Sequence, residues 1–114
     1  MLLIQQVTAN PLQRQSLVLP DGSTFFLEIY FRPLQKGWFI NELTYLDFTV
    51  KGVRITNNPN ILYPFKNKIP FGLGCFSTAN REPGLLEDFA SGASKLYVLT
   101  EAEVQELERF YAGG

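Results

Sequence analysis

A mainly β fold, a small antiparallel β-barrel or barrel-like sandwich closed by one C-terminal α-helix, is what three features of this sequence predict. Apolar residues alternate through Thr24 to Arg32 with the period of two that a half-buried strand requires. Turn-forming clusters recur at short spacing, at Pro20-Asp21-Gly22-Ser23, Pro33-Leu34-Gln35-Lys36-Gly37 and Asn57-Asn58-Pro59-Asn60. The period then changes to helical after Thr100, where a capping sequence stands. With 114 residues the chain is read as a single domain spanning 1–114, and 46% hydrophobic residues provide for a core.

In chain order, Arg14 to Leu19 reads as a strand and Pro20 to Ser23 as the turn after it, with Pro presetting φ and Gly supplying positive φ. Thr24 to Arg32 is the next strand, with Phe25, Leu27, Ile29 and Phe31 on one face and Phe26, Glu28 and Tyr30 on the other. Pro33 to Gly37 turns the chain into a third strand reaching about Leu43, which completes an antiparallel meander. From Tyr45 the alternation places Leu46, Phe48 and Val50 on one face. The phase flips at Lys51-Gly52 before Val53 and Ile55, the mark of a two-residue turn or a glycine bulge. Asn57 to Pro70 then predicts a long ordered loop, its prolines holding it extended. Phe71 to Phe76 and Lys95 to Leu99 read as two late strands around an irregular stretch from Ala79 to Ser94. Thr100 as N-cap with Glu103 at N3 starts a helix from about Glu101 to Phe110, whose apolar stripe is Val104, Leu107 and either Phe110 or Tyr111. The predicted core contains Phe25, Leu27, Ile29, Trp38 or Phe39, Phe48, Val53, Ile55 and Leu96.

Composition argues against catalysis. The chain has no His and one Cys, which removes the usual general base, the imidazole ligand and any intramolecular disulfide. Cys75 has no His to activate it and reads as a core residue. Gly72-Leu73-Gly74 lacks the third glycine and the Lys-Ser/Thr tail of a phosphate loop; small residues admitting another backbone, or a bulge, suit it better. Glu87-Asp88 is the one adjacent acidic pair and reads as a solvated loop, and the glutamates of the helix as its wet face. The reading is therefore no enzyme, with no catalytic, cofactor-binding or metal site, no cofactor and no small-molecule substrate. No stretch reaches the roughly 20 apolar residues of a membrane span. Met1-Leu2-Leu3-Ile4 has neither the basic region nor the cleavage site of a signal peptide, so synthesis in a reducing cytoplasm and no membrane insertion are expected.

Charge is divided along the chain. Residues 1–68 carry seven basic and four acidic side chains, a net +3, whereas residues 69–114 carry three basic and seven acidic, a net −4. Two arrangements stay open: a dipolar subunit that stacks head-to-tail or docks on a charged ring, and an acidic helix set against a mildly basic sheet. With a net charge of −1, Lys66 and Lys68 offer little phosphate affinity, and nucleic acid is not expected as a specific ligand. Phe26 and Tyr30 add apolar surface to an otherwise polar strand face, which marks an interface. Tyr63 and Phe65 beside Lys66 and Lys68 combine an apolar centre with a polar rim, so these six residues are the candidate protein interface. The alternative for the loop is that its aromatics fold back and close one end of the barrel.

Several segments in order also carry a resemblance. Gln15, Pro20-Asp21-Gly22, Arg32-Pro33, Gly37-Trp38-Phe39, Gly52-Val53-Arg54-Ile55, Asn60-Ile61-Leu62, Pro70 to Phe76 and Lys95 to Leu99 together resemble the baseplate plug family of contractile-tailed bacteriophages, over roughly residues 12 to 100. The resemblance implies a mainly β structural virion protein without catalysis, made in the host cytoplasm and built into the tail baseplate. Its implied partners are the tail tube, hub and spike subunits, with self-association as a further mode. The competing function is a stand-alone β-barrel module that binds an oligonucleotide or an oligosaccharide.

Overall fold

Two antiparallel sheets and a helix make up the computed structural model, which describes residues 1–5, 7–78 and 81–113, the last three as backbone alone. The element order is β1 (Leu2–Leu3), β2 (Leu12–Val18), β3 (Thr24–Arg32), β4 (Gly37–Tyr45), β5 (Phe48–Val50), β6 (Val53–Arg54), β7 (Gly72–Ser77), β8 (Ser94–Leu99) and α1 (Glu101–Gly113). One sheet runs β2-β3-β4-β5, with β6 also on β4, and the other runs β1-β8-β7. The architecture is a barrel-like sandwich with one C-terminal helix, and the expected meander is its first sheet.

The turn from β2 to β3 forms as its residues require. Gly22 takes φ +91° and donates to the Leu19 carbonyl at 2.9 Å, while the Asp21 carboxylate accepts the Ser23 N–H and hydroxyl. β3 then buries Phe25, Leu27 and Ile29. In β4 the register against β3 shifts after Glu28, which pairs with Glu42, while Ile29 pairs with Ile40. Asn41 is thus the extra residue of a bulge, and the buried set changes from Trp38 and Ile40 before it to Leu43 and Tyr45 after it. The bulge decides between the two core candidates: Trp38 is wholly buried and Phe39, half-buried, lies on the outer face.

Leu46 departs from the expected alternation. It sits with Asp47 in a two-residue turn between β4 and β5, at φ +52°, and is 76% exposed. A leucine in the left-handed region carries none of the glycine or asparagine signal that betrays such a turn. At Gly52 the bulge is found and not the turn. β5 and β6 both pair with β4, and Gly52, at φ +73°, donates to the Ile40 carbonyl at 2.8 Å. Of the remaining predicted core, Ile55 and Leu96 are buried, whereas Phe48 and Val53 are half-buried against it.

Beyond Ile55 the chain passes from one sheet to the other. Asn58 exchanges backbone hydrogen bonds with Cys75 at 3.1 and 2.9 Å, and Ile61 donates to Leu73 at 2.7 Å. The glycines of β7 admit this crossing, as their pattern suggested: a Cβ on Gly74 would lie 2.7 Å from the Pro59 carbonyl oxygen, and one on Gly72 would lie 2.8 Å from Asn60 Oδ1. That Oδ1, buried, accepts the N–H groups of Leu62 and Leu73 at 3.0 and 3.2 Å. The following loop is not extended. Tyr63–Phe65 form a single 3-10 turn, while Ile61, Leu62 and Ile69 enter the core. Pro64 falls at the start of that turn, where its fixed φ and missing N–H are tolerated.

Residues 81–93 lack regular structure, as expected, but they are not merely a solvated loop. Asp88 is 2% exposed and takes a bidentate contact from Arg81 at 2.6 and 2.8 Å, plus the Leu85 N–H at 2.8 Å. Glu87 beside it is exposed, so the two carboxylates diverge. The Arg81 bond holds the Asp88 carboxyl below its ordinary 3.8, and the backbone N–H adds to that against the cost of burial. The fixed segment lets Trp38 donate its indole N–H to the Leu85 carbonyl at 3.1 Å and meet Phe89 edge-on, with ring centroids 5.5 Å apart. At α1 the capping box closes both ways: Thr100 Oγ1 accepts the Glu103 N–H at 3.2 Å, and Glu103 Oε1 accepts the Thr100 N–H at 3.0 Å. The helix continues past Phe110 to Gly113, and Val104 is its buried anchor.

Two stability outcomes follow from these contacts. Trp38→Ala removes the largest wholly buried side chain and should cost about 3–5 kcal/mol in urea unfolding followed by circular dichroism; a midpoint equal to wild type would contradict the anchoring role. Asp88→Asn should cost about 1–3 kcal/mol at neutral pH. Because the folded carboxyl titrates low, its contribution is complete above the unfolded value and fades as pH falls from about 4 through the folded value. The substitution should therefore flatten that acid limb of the stability curve.

Candidate functional site

β-pleating sends alternate residues of β3 outward, and the register carries them to neighbours on β2, β4 and β6. Tyr30 stands opposite Phe39 on β4 and Leu12 on β2, and Phe39 in turn stands opposite Arg54 on β6. The Tyr30 and Phe39 rings are 6.0 Å apart. The Arg32 guanidinium lies over both, 4.7 Å from the Tyr30 centroid and 4.9 Å from that of Phe39. Arg54 lies 5.5 Å over Phe39 and donates to the carbonyls of Lys36 and Gln35 at 3.2 and 3.4 Å. The result is a shelf of two half-buried rings carrying two exposed guanidinium groups. Among the described residues no carboxylate pairs with either one.

Gly37 shapes this shelf. A Cβ there would fall 2.7 Å from Arg54 Nη2 and 2.9 Å from its Cζ, so the missing side chain is what allows the guanidinium to lie flat across the start of β4. Stacking leaves the N–H edge of Arg32 available, and a planar guanidinium fork matches a carboxylate two bonds at a time, whereas Arg54 Nη2 is already engaged by the two carbonyls.

The six residues expected at an interface do not gather in one place. Tyr30 belongs to the shelf. Phe26, half-buried, is on the same outer face but beyond Glu28, opposite Ser16 and Thr44. Tyr63 and Lys66 meet beside α1, with Lys66 Nζ 4.9 Å over the Tyr63 ring and 3.5 Å from Glu108. Phe65 turns inward and packs on Phe48 at 6.0 Å, so this ring folds back onto the core. Lys68 is exposed. The loop therefore does not present its two aromatics as one docking face, because Phe65 gains more by covering Phe48 than by meeting water.

A second apolar surface flanks α1. A groove of about 380 Å³ runs between the helix and the outer face of β7 and β8, floored by Phe76, Leu99 and Leu107, with Phe110 and Glu106 along the helix side. Phe76 is 43% and Phe110 73% exposed. Cys75, on the opposite face of β7, is buried; burial and the charges of Glu82 and Asp88 push its thiol up to about 12, which leaves it protonated at neutral pH. No helix among the described residues is long and apolar enough to cross a membrane.

Arg32, Phe39 and Arg54 were not among the residues expected at an interface. The signal available was the β3 alternation, which places Arg32 on the face of Tyr30; the rest required the register across the Asn41 bulge. No protein-family model and no curated protein matches this chain.

Gly37→Ala should leave the fold intact, with a stability change under about 1 kcal/mol, since the atoms nearest the new Cβ are the end of the flexible Arg54 side chain. It should move Arg54 off Phe39, read as loss of the upfield ring-current shift of the Arg54 side-chain protons. An unchanged shift would show that Gly37 does not shape the shelf.

Proposed function

We propose that this protein is a structural subunit of a contractile phage tail baseplate, acting by protein–protein contact where tube, hub and spike meet. The observation that carries the contact reading is the shelf: two guanidinium groups fixed on aromatic rings at the surface, with no carboxylate of the described residues to satisfy them. Aromatic and arginine side chains are the types that dominate protein interfaces, and a preorganised pair loses little rotamer freedom on binding. The baseplate setting comes from the ordered segments between Gln15 and Leu99 that resemble the plug family. The loop residues Tyr63 and Lys66 and the outer-face Phe26 would serve as further contacts in such an assembly.

Arginine on aromatic rings also suits a single nucleic-acid strand. Glu28 and Glu42, paired across β3 and β4 in the adjoining part of the same face, work against a phosphate backbone. A protein partner can set a single carboxylate at the arginines and avoid the two glutamates, which a continuous phosphate chain along this face cannot.

Capture by tail tube, hub and spike subunits of a contractile tail provides the test. Wild type should retain at least one of them, and the charge-reversed pair Arg32→Glu, Arg54→Glu should lose it while keeping the wild-type melting temperature. Retention of the same partners by the folded variant, or capture of none by wild type, would overturn this reading.

A further inference from the structure

We propose that this chain forms a two-fold dimer in which the β2 edge of one copy pairs antiparallel with β2 of a second, with Gln15 on the axis. The contact lies at a sheet edge, apart from the shelf, and does not rest on the baseplate reading.

β2 is the longest strand edge left open among the described residues. β1 and β6 have two residues each and β5 three, and the edge of β7 away from β8 is taken by Asn58 and Ile61. Hydrogen bonds at the two ends of β2 fix which way its backbone faces. Leu19 donates to the Ser23 carbonyl and Pro11 accepts from the Phe31 N–H, each at 2.7 Å, so both bond toward β3. The unbroken register between them keeps Gln13, Gln15 and Leu17 in that phase and turns the N–H and C=O groups of Leu12, Arg14, Ser16 and Val18 outward. Of these outward groups only the Leu12 N–H has a partner among the described residues, the Asn10 side chain at 3.1 Å. All four residues are exposed. From Leu12 to Val18 the strand has no proline, no lysine and no bulge, the usual protections of an edge.

The symmetry of the strand about Gln15 makes a second copy the occupant. Outward groups must oppose outward groups, so an antiparallel pair of copies can centre on Arg14, Gln15 or Ser16. Centring on Arg14 sets two guanidinium groups opposite each other, and centring on Ser16 sets Leu12 opposite Pro20, which has no N–H to donate. Centring on Gln15 overlaps the whole of Leu12–Val18 with its image. Leu12, 47% exposed, then stands opposite Val18, 69% exposed, at both ends of the contact. Arg14 exchanges backbone bonds with Ser16, Val18 donates to the Leu12 carbonyl, and each Arg14 keeps Glu28 of its own β3 beside it. The two Gln15 side chains meet across the axis. An amide both donates and accepts, so it can satisfy its own image, and Gln15 makes no side-chain hydrogen bond among the described residues. Any extended peptide can take the backbone bonds, but the apolar pairs, the arginine–serine pairs and the amide pair all arise from one sequence meeting itself.

Sedimentation velocity on the full chain, with circular dichroism as the check of fold, tests the pairing. Wild type should pass from monomer to dimer as concentration rises and go no further, because a two-fold contact is closed. Ser16→Pro removes an outward N–H that β3 does not use, so it should stay folded and remain monomeric where wild type is dimeric. Val18→Lys should do the same by placing a charge opposite Leu12. The register has its own readout. Residues facing each other as a non-hydrogen-bonded pair are about 4.5 Å apart at Cα, within disulfide reach, so Gln15→Cys should cross-link into a dimer under mild oxidation. Ser16→Cys, diagonal to its image, should not, and Cys75 is buried in both. A wild type monomeric at every concentration, a folded Ser16→Pro or Val18→Lys that still dimerises, or a Gln15→Cys that cross-links no faster than Ser16→Cys would each overturn the proposal. Should a strand variant misfold, the wild-type concentration series and the cross-linking pair decide.

Discussion

The close approach of the chain at Asn58 to Ile61 to β7 is the constraint on which the rest of the structure depends. It requires glycine at positions 72 and 74, because a Cβ at either would run into Asn60 or the Pro59 backbone. Once made, it joins the two sheets through the Asn58–Cys75 and Ile61–Leu73 hydrogen bonds and buries the Asn60 amide, whose oxygen then satisfies two backbone N–H groups. A buried oxygen with two donors is worth keeping only where both are fixed, so the crossing also fixes the start of the loop that follows. Val104 of α1 lies against the same spot, within 3.1 Å of where a Gly72 Cβ would be. The helix, and with it the groove against β7 and β8, is thus positioned by two missing side chains.

What the sequence made legible was local. The β3 strand, the Asp21-Gly22 turn and the Thr100–Glu103 capping box each depend on residues within one turn or one strand, and each forms over the expected residues. The errors fall where a distant contact decides. Trp38 and Phe39 are neighbours of similar character, and only the extra residue at Asn41 determines which faces the core. Leu46 breaks the pattern because the β4–β5 hairpin tolerates a positive φ at a residue that disfavours it. Asp88 was hidden in a Gly- and Ser-rich stretch, and its burial depends on Arg81 reaching back over it. The prolines of the loop pointed to extended chain, but the apolar Ile61, Leu62 and Ile69 around them had a core within reach.

The candidate site was legible in part for the same reason. Tyr30 emerged from the pattern of its own strand, whereas Arg54 joins it only through β6, β4 and the register between them. Lys66 and Glu108 show the converse. The sequence placed the lysine in a basic loop and the glutamate on a wet helix face, and the fold brings them 3.5 Å apart, so that neither remains a clear site for an outside charge. Net charge read along the chain therefore overstates what the surface offers, since part of it is spent internally.

The same distinction separates the cations. Lys66 already has a carboxylate, and Lys68 is an exposed ammonium on a flexible stem. Arg32 and Arg54 lie against rings, and Arg54 is held further by two backbone carbonyls. A side chain held in this way has given up much of its rotamer entropy on folding, so a carboxylate that meets it pays less to form the bond. The stacking also covers a face of each guanidinium plane, and for Arg32 it leaves the N–H edge at the surface. Positive charge held in a fixed geometry is for that reason concentrated where arginine and aromatic residues meet, at the β3–β4–β6 corner, and not where it is densest in sequence.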